Sequence, residues 1–168
     1  AKTGQGVLEL LESVVEKIPP PKQDVNVPLQ ALIFDSFFDS YRGVIPHIRI
    51  FSGKMAPHDK ILVKSTGKGY EVDEVGYFTL DLTPANELTA GDVGYVGAIM
   101  REVGEIRVGD TIVSAEHPEM AAIPGFRHPQ PMVFCGLYPV STNEYNKLGE
   151  ALEKLQLNDS SIIFEKES

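Results

Sequence analysis

The chain has 168 residues, of which 42% are hydrophobic, and carries a formal net charge of −9. Its length is sufficient to bury a core in one or two domains, and no apolar run approaches the roughly 20 residues that a membrane-spanning helix needs. Binding of nucleic acid by bulk electrostatics is excluded, because that mode needs clustered Lys and Arg, so any RNA contact has to be local.

The chain opens with a segment that predicts one amphipathic helix. Its apolar residues recur at helical spacing: Val7, Leu8, Leu11, Val15 and Ile18. Three prolines at 19–21 end the helix, because proline lacks the amide donor and disfavours α conformation in the residue before it. We therefore predict a helix and a stiff linker over residues 1–23.

Residues 24–123 carry the pattern of an all-β unit. Three apolar, β-rich runs lie between residues 29 and 63, separated by a turn at Tyr41-Arg42-Gly43 and by a connection from residue 53 to residue 59. Two Gly-Asp pairs, at 91–92 and 109–110, each precede another short apolar run. Repeated turns feeding short strands indicate a closed or nearly closed β-barrel.

The run TGKG at 66–69 predicts a hairpin tip within this barrel. It lacks the first glycine and the following helix of a GxxxxGK[ST] phosphate loop. We therefore expect no nucleotide-binding loop there.

Residues 124–168 predict a small β-α-β unit after a Pro-Gly linker. Residues 132–137 form an apolar run typical of a buried strand, and residues 141–144, Ser-Thr-Asn-Glu, are spaced as a capping box. A helical stripe follows, made of Tyr145, Leu148, Leu152 and Leu155, and residues 161–165 predict a second strand.

Several of these runs resemble the LepA family, elongation factor 4, which comprises ribosome-dependent translational GTPases. The resemblance rests on FDSFFDSYRG, PMVFCGLYPV and EALEKLQLNDSSIIFE, and LTAGDVGYV resembles the second domain of translational GTPases in general. It implies a mainly β fold with an α+β part: the last helix of a GTPase domain at 1–23, the barrel at 24–123 and the first half of a ferredoxin-like domain at 124–168. The same region of an elongation factor G-like GTPase is the alternative.

Two residues depart from the pattern of these barrels. His58 stands where such barrels have glycine before aspartate, so we expect a left-handed backbone there. Pro46 interrupts a strand that is usually aliphatic, so we expect it at a ladder position that needs no amide donor.

The resemblance also implies partners and cofactors. Ala1 and Lys2 look like a remnant of the loop that binds guanine, whereas GTP and magnesium belong to the longer parent and this part is expected to bind neither. The family's reported activity is GTP-dependent backward movement of the ribosome by one codon. Expected partners are small-subunit ribosomal RNA, a ribosomal protein and tRNA-bound complexes, in the cytoplasm or peripherally at the inner face of the membrane.

Three cations are the candidate contacts to ribosomal RNA. Arg42 lies in the first turn of the barrel, and Lys64 and Lys68 lie in its second hairpin. A solvated surface charge is the alternative reading of each.

A stand-alone thiol enzyme is the rival function. Cys135 is the only cysteine, so no intramolecular disulfide is possible, and its place in an apolar run predicts an inert, buried thiol. We expect no catalytic residue and no metal site, because the four histidines lack ligand spacing. Paired carboxylates, such as Asp73 with Glu74 or Asp35 with Asp39, are expected to be solvated.

The β-α-β unit poses one further question. In a ferredoxin-like sheet its two strands are separated by a third, which the 168 residues do not include. We expect one of the two strands to pair with another copy of the chain or with a companion that supplies the missing strand.

Overall fold

The structure is a computed structural model that describes residues 3–21, 24–39, 42–98, 106–124, 132–158 and 162–166. In these ranges the elements, in chain order, are α1 Val7–Lys17, β1 Gln30–Asp39, β2 Gly43–Ser52, β3 Lys54–Met55, β4 Lys60–Val63, β5 Gly69–Phe78, β6 Leu82–Ala85, β7 Leu88–Thr89, β8 Val93–Ala98, β9 Thr111–Ser114, a short 3-10 helix Thr142–Glu144 and α2 Tyr145–Asn158.

The strands form the predicted barrel. They are ordered β4-β9-β1-β2-β8-β5, all antiparallel, and β4 also pairs with β5, which closes the ring. β6 extends from β5 outside the ring, and β3 and β7 form a separate two-stranded ribbon. Closure removes the free edges that an open sheet of this size would carry.

The barrel interior is filled by aliphatic side chains that alternate along the strands. In β2, Ile48 and Ile50 are fully buried, whereas Arg49 between them is exposed. Further fully buried core residues come from the remaining strands of the ring and from the β3–β7 ribbon, and include Ile33, Ile61, Val72, Leu88, Val96 and Ile112. Their burial is the main source of stability in a unit of this kind.

Register shifts change the alternation of β1 and β5, and one of those on β1 lies between Gln30 and Ala31. β1 also shifts register between Ile33 and Asp35, and β5 shifts between Val72 and Glu74. On β5 the shift places Val72 and Val75, three residues apart, both in the interior. A bulge therefore decides which face Glu74 occupies.

The same four-residue turn occurs three times in the barrel, at 56–59, 89–92 and 107–110. In each, the fourth residue is an aspartate whose carboxylate accepts the amide hydrogen of the first residue, at 2.8, 2.7 and 2.9 Å. The third residue has positive φ: 71° at His58, 98° at Gly91 and 97° at Gly109. The left-handed backbone expected at His58 is thus confirmed, and its reason is that the turn requires it.

Strand directions fix which loops share an end of the barrel. The β1–β2 turn, the β4–β5 turn and the start of β9 lie at one end, which we call the hairpin end, and the β3–β7 ribbon lies at the other. Pro46 lies opposite Ser36, just beyond the β2 residues that pair with β8, so the described β2–β8 pairing needs no amide donor from it. This agrees with the position expected for a proline in a sheet.

The predicted N-terminal helix is confirmed as α1. It ends at Lys17, one residue before Ile18 and two before the prolines, and none of its residues is buried. Its apolar side chains, among them Leu8 and Val15, are largely exposed. No helix built from the described residues is long and apolar enough to cross a membrane.

The predicted C-terminal helix is confirmed as α2, but the strands on either side of it are wrong. Residues 132–139 and 162–166 have no strand pairing, and residue 161 lies outside the described ranges. A strand exists only through bonds to a neighbour, and neither run lies beside one here. α2 instead lies against β1, with Lys154 Nζ 5.3 Å from the ring centroid of Phe38.

The capping box is also wrong. A 3-10 turn precedes α2, and Ser141 makes no side-chain cap; its carbonyl accepts the amide hydrogen of Glu144 at 2.9 Å instead. The tighter turn satisfies the amide that the serine hydroxyl was expected to satisfy.

Candidate functional site

Arg42 lies in the β1–β2 turn at the hairpin end and is fixed at both its backbone and its side chain. Its amide hydrogen bonds to Oδ1 of Asp39 at 2.9 Å, which closes the turn. Its Nη1 donates to Oε1 of Glu74 on β5 at 2.9 Å, and the Arg42 side chain remains 51% exposed. The guanidinium is therefore accessible but not free to rotate.

Glu74 connects Arg42 to the barrel wall. The same atom, Oε1, also accepts the Tyr95 hydroxyl hydrogen at 2.6 Å, and Tyr95 is fully buried. Burial, followed by the hydrogen bond to Glu74, raises the pKa of Tyr95 to about 12, so this phenol stays protonated and remains a donor. The buried Tyr95 hydroxyl, the Glu74 carboxylate and the exposed Arg42 guanidinium are thus connected by hydrogen bonds in series.

The expectation that Glu74 is merely solvated is wrong. Its side chain is 32% exposed and engaged on one oxygen by two donors. The β5 bulge, which sequence analysis did not predict, turns Glu74 towards Arg42 and Tyr95. The signal for it was the three-residue spacing of Val72 and Val75, which does not fit a regular strand.

Lys64 and Lys68 lie in the β4–β5 turn, as predicted. Lys64 is half-buried, and its Nζ donates to the carbonyl of Pro118 at 2.8 Å, which ties the segment after β9 to the turn. Lys68 is exposed, and its amide hydrogen bonds to the Thr66 hydroxyl at 3.4 Å. Lys64 therefore has a structural role that the sequence did not indicate.

The three cations share the hairpin end of the barrel through the topology of their strands. Both turns follow strands that run towards this end. The remaining predicted site residues, Ala1 and Lys2, lie outside the described residues.

A second cluster, made of aromatic rings, lies on the outer wall of the barrel and was missed by sequence analysis. His47 packs against Phe34, Phe37 and Phe78, with ring centroids 6.0, 5.4 and 4.1 Å away. Its Nε2 is buried without a hydrogen-bond partner, and burial lowers the pKa of His47, which the carboxylate of Asp35 offsets only in part. His47 is therefore held neutral as part of an aromatic layer.

Cys135 does not lie in a buried strand. It is a free, exposed thiol in an extended segment without strand pairing, so the predicted buried position is wrong. An exposed thiol reacts with titrant whatever its function, so titration of Cys135 does not separate a thiol enzyme from a binding module. Among the described residues, no group of three or more His, Cys, Asp or Glu is arranged to hold a metal ion.

The fold and a family model define the class of the barrel. Residues 43–113 match the model of elongation factor Tu domain 2. A crystal structure of a protein from Thermus thermophilus superposes with a TM-score of 0.72 at 28% identity, covering 95% of this chain and 24% of the other. The barrel is therefore a translation-factor barrel of the domain 2 type.

Curated relatives that match along the whole chain show a more specific similarity, to elongation factor 4. Elongation factor 4 of Bacillus subtilis (strain 168) is 55% identical over 168 residues, which is 100% of this chain and 28% of that protein. Elongation factor 4 of Symbiobacterium thermophilum is also 55% identical over the same length and share. The chain is therefore similar along its whole length to members of the elongation factor 4 (LepA) family, and it spans 28% of the length of these relatives.

Proposed function

We propose that this chain is a non-catalytic ribosome-binding part of a LepA-like translational GTPase. Its hairpin end contacts phosphates of small-subunit ribosomal RNA through Arg42, Lys64 and Lys68, and the parent protein supplies GTP and magnesium binding. The observation that carries the proposal is identity of 55% to elongation factor 4 along the whole chain. Identity at this level along the whole chain is expected to preserve the fold that positions this surface.

The charge distribution supports a local contact. With a net charge of −9, the chain as a whole repels a polyanion, so affinity has to come from a few oriented cations. Arg42 is suited to this, because a guanidinium presents several donors in a fixed plane that matches phosphate oxygens. Lys68 adds an exposed charge at the β4–β5 turn, at the same end of the barrel.

Ribosome co-sedimentation at several salt concentrations tests the proposal. Replacing Arg42, Lys64 and Lys68 by Gln should weaken binding. It should also reduce the slope of log affinity against log salt for each lost phosphate contact, by about 0.9 if ribosomal RNA behaves as duplex DNA does. An unchanged slope would assign the affinity to protein contacts and refute the RNA contact.

A matched variant controls for net charge. Lys54, Lys60 and Arg49 are exposed and lie away from the hairpin end, so their replacement by Gln removes the same three charges. We expect this variant to keep the wild-type slope. Equal losses in both variants would indicate a general charge effect rather than a site.

Further parts of the proposal concern the parent protein and its partners. We assign residues 1–23 to the end of a GTPase domain, 24–123 to the barrel and 124–168 to the start of a ferredoxin-like domain, in a protein that promotes GTP-dependent back-translocation. A ribosomal protein and tRNA-bound complexes are its further partners, and the cytoplasm, with peripheral membrane association, is its location.

We also propose that residues 132–140 acquire a strand partner, either a second copy of the chain or a companion. Their exposure supports this, since Met132, Phe134 and Val140 are 92%, 87% and 103% exposed. Light scattering across a concentration series tests the first possibility. A mass that stays at one chain would leave the companion as the partner.

A further inference from the structure

The arrangement of Arg42, Glu74 and Tyr95 bears on how the RNA contact is made, and this inference rests on the proposed function. Arg42 reaches from the β1–β2 turn to β5 and binds one carboxylate oxygen. Glu74 accepts a hydrogen bond from this guanidinium, which also interacts with the Tyr95 hydroxyl. A guanidinium has five N–H donors, so most of them remain available to an incoming phosphate.

The barrel itself immobilises Tyr95, the buried end of the series of hydrogen bonds that leads to Arg42. The ring of Tyr95 lies directly over Gly76, its neighbour in the sheet, where a Cβ would come within 2.6 Å of the ring. The absence of a side chain at Gly76 thus makes the space that the ring fills. Because Tyr95 is fully buried there, its hydroxyl is held in one place beneath Glu74.

We propose that Glu74 is a positioning residue that holds the Arg42 guanidinium, with Tyr95 as its buried anchor, so that the exposed edge of Arg42 is presented to a phosphate of ribosomal RNA. An arginine in solution loses much rotamer freedom when it binds, whereas one that is already held loses less. Glu74 therefore increases affinity although it carries the same charge sign as RNA.

This gives a test in which position and charge act in opposite directions. Glu74→Gln removes a negative charge, so if Glu74 were only an acidic neighbour, the variant would bind ribosomes more tightly. If Glu74 positions Arg42, the variant binds more weakly, and we expect a loss of about 3- to 10-fold. Unchanged or increased affinity overturns the inference.

A double-mutant cycle separates this inference from the proposed function. In an Arg42→Ala background, Glu74→Gln should cause no further loss. If Arg42→Ala leaves ribosome affinity unchanged, the proposed RNA contact fails and the inference fails with it. If Arg42→Ala weakens binding but Glu74→Gln does so equally with and without Arg42, only the inference fails.

Two readouts on the 168-residue chain identify a merely structural effect. The NMR titration of Tyr95 should move to lower pH in Glu74→Gln but stay above its ordinary value, because burial remains. Tyr95→Phe keeps the ring and every charge, so it should fold like the wild type and weaken ribosome binding less than Glu74→Gln does. Wild-type affinity in Tyr95→Phe would refute the role of Tyr95 as anchor.

Discussion

Replacing Gly53 by alanine should destabilise the barrel far more than the same replacement at Gly67. Both glycines have nearly the same positive φ, 71° and 68°. At Gly67 a Cβ would meet nothing within 4 Å, whereas at Gly53 it would lie 2.7 Å from both Leu29 N and Val27 O. The pair therefore separates backbone strain from steric overlap.

The expected magnitudes follow from these distances. A left-handed alanine costs about 1–2 kcal/mol, less about 0.4–1 kcal/mol gained by restricting the unfolded chain, so Gly67→Ala should cost about 1 kcal/mol. Gly53 cannot move away, because its amide hydrogen bonds to Asp24 O at 2.8 Å and its carbonyl accepts from Ala90 at 3.0 Å. Overpacking adds at least about 2 kcal/mol there.

Urea denaturation followed by circular dichroism measures the difference. With an m-value of about 2 kcal/mol per molar, Gly53→Ala should unfold about 1 M earlier than Gly67→Ala. Midpoints of the two variants that agree within about 0.2 M would refute the reasoning, since that is about 0.4 kcal/mol at this m-value.

Two further predictions concern ionisable groups. Burial lowers the pKa of His47, so as the pH falls the unfolded chain takes up a proton at this histidine before the folded chain does. The free energy of unfolding should therefore fall as the pH drops below about 6.5, by at most about 1.4 kcal/mol per pH unit. Urea midpoints of the wild type and of His47→Phe, each measured at about pH 7.5 and about pH 5.5, test this. The midpoint should fall less between the two pH values in His47→Phe, and an equal fall in the two proteins would contradict the prediction. Asp92→Ala should cost at least about 1.5 kcal/mol more than Asp59→Ala, because Asp92 accepts three hydrogen bonds and Asp59 one, a ranking that thermal unfolding checks.

The barrel could be predicted because its signals are local. Alternating apolar residues indicate β2, and the Gly-Asp pairs indicate turns that need a left-handed residue before the aspartate. His58 is left-handed because it occupies the same position in its turn. The proline run marks the end of α1 for an equally local reason.

The Arg42 site could be predicted only in part, because its geometry depends on distant residues. Arg42 was identified from its turn, but its partner Glu74 lies 32 residues away and faces it through a bulge. Likewise, the run around Cys135 is apolar enough for a strand, yet pairing needs a neighbour that composition cannot reveal.

The strand that extends beyond the closed ring bears on how the chain behaves at high concentration. Within the described residues β6 pairs with β5 on one side, so its other side is the place where a foreign strand could add. Pro84 sits in the middle of this four-residue strand and has no amide hydrogen to offer. The barrel is thereby protected against edge-to-edge aggregation at this projecting strand.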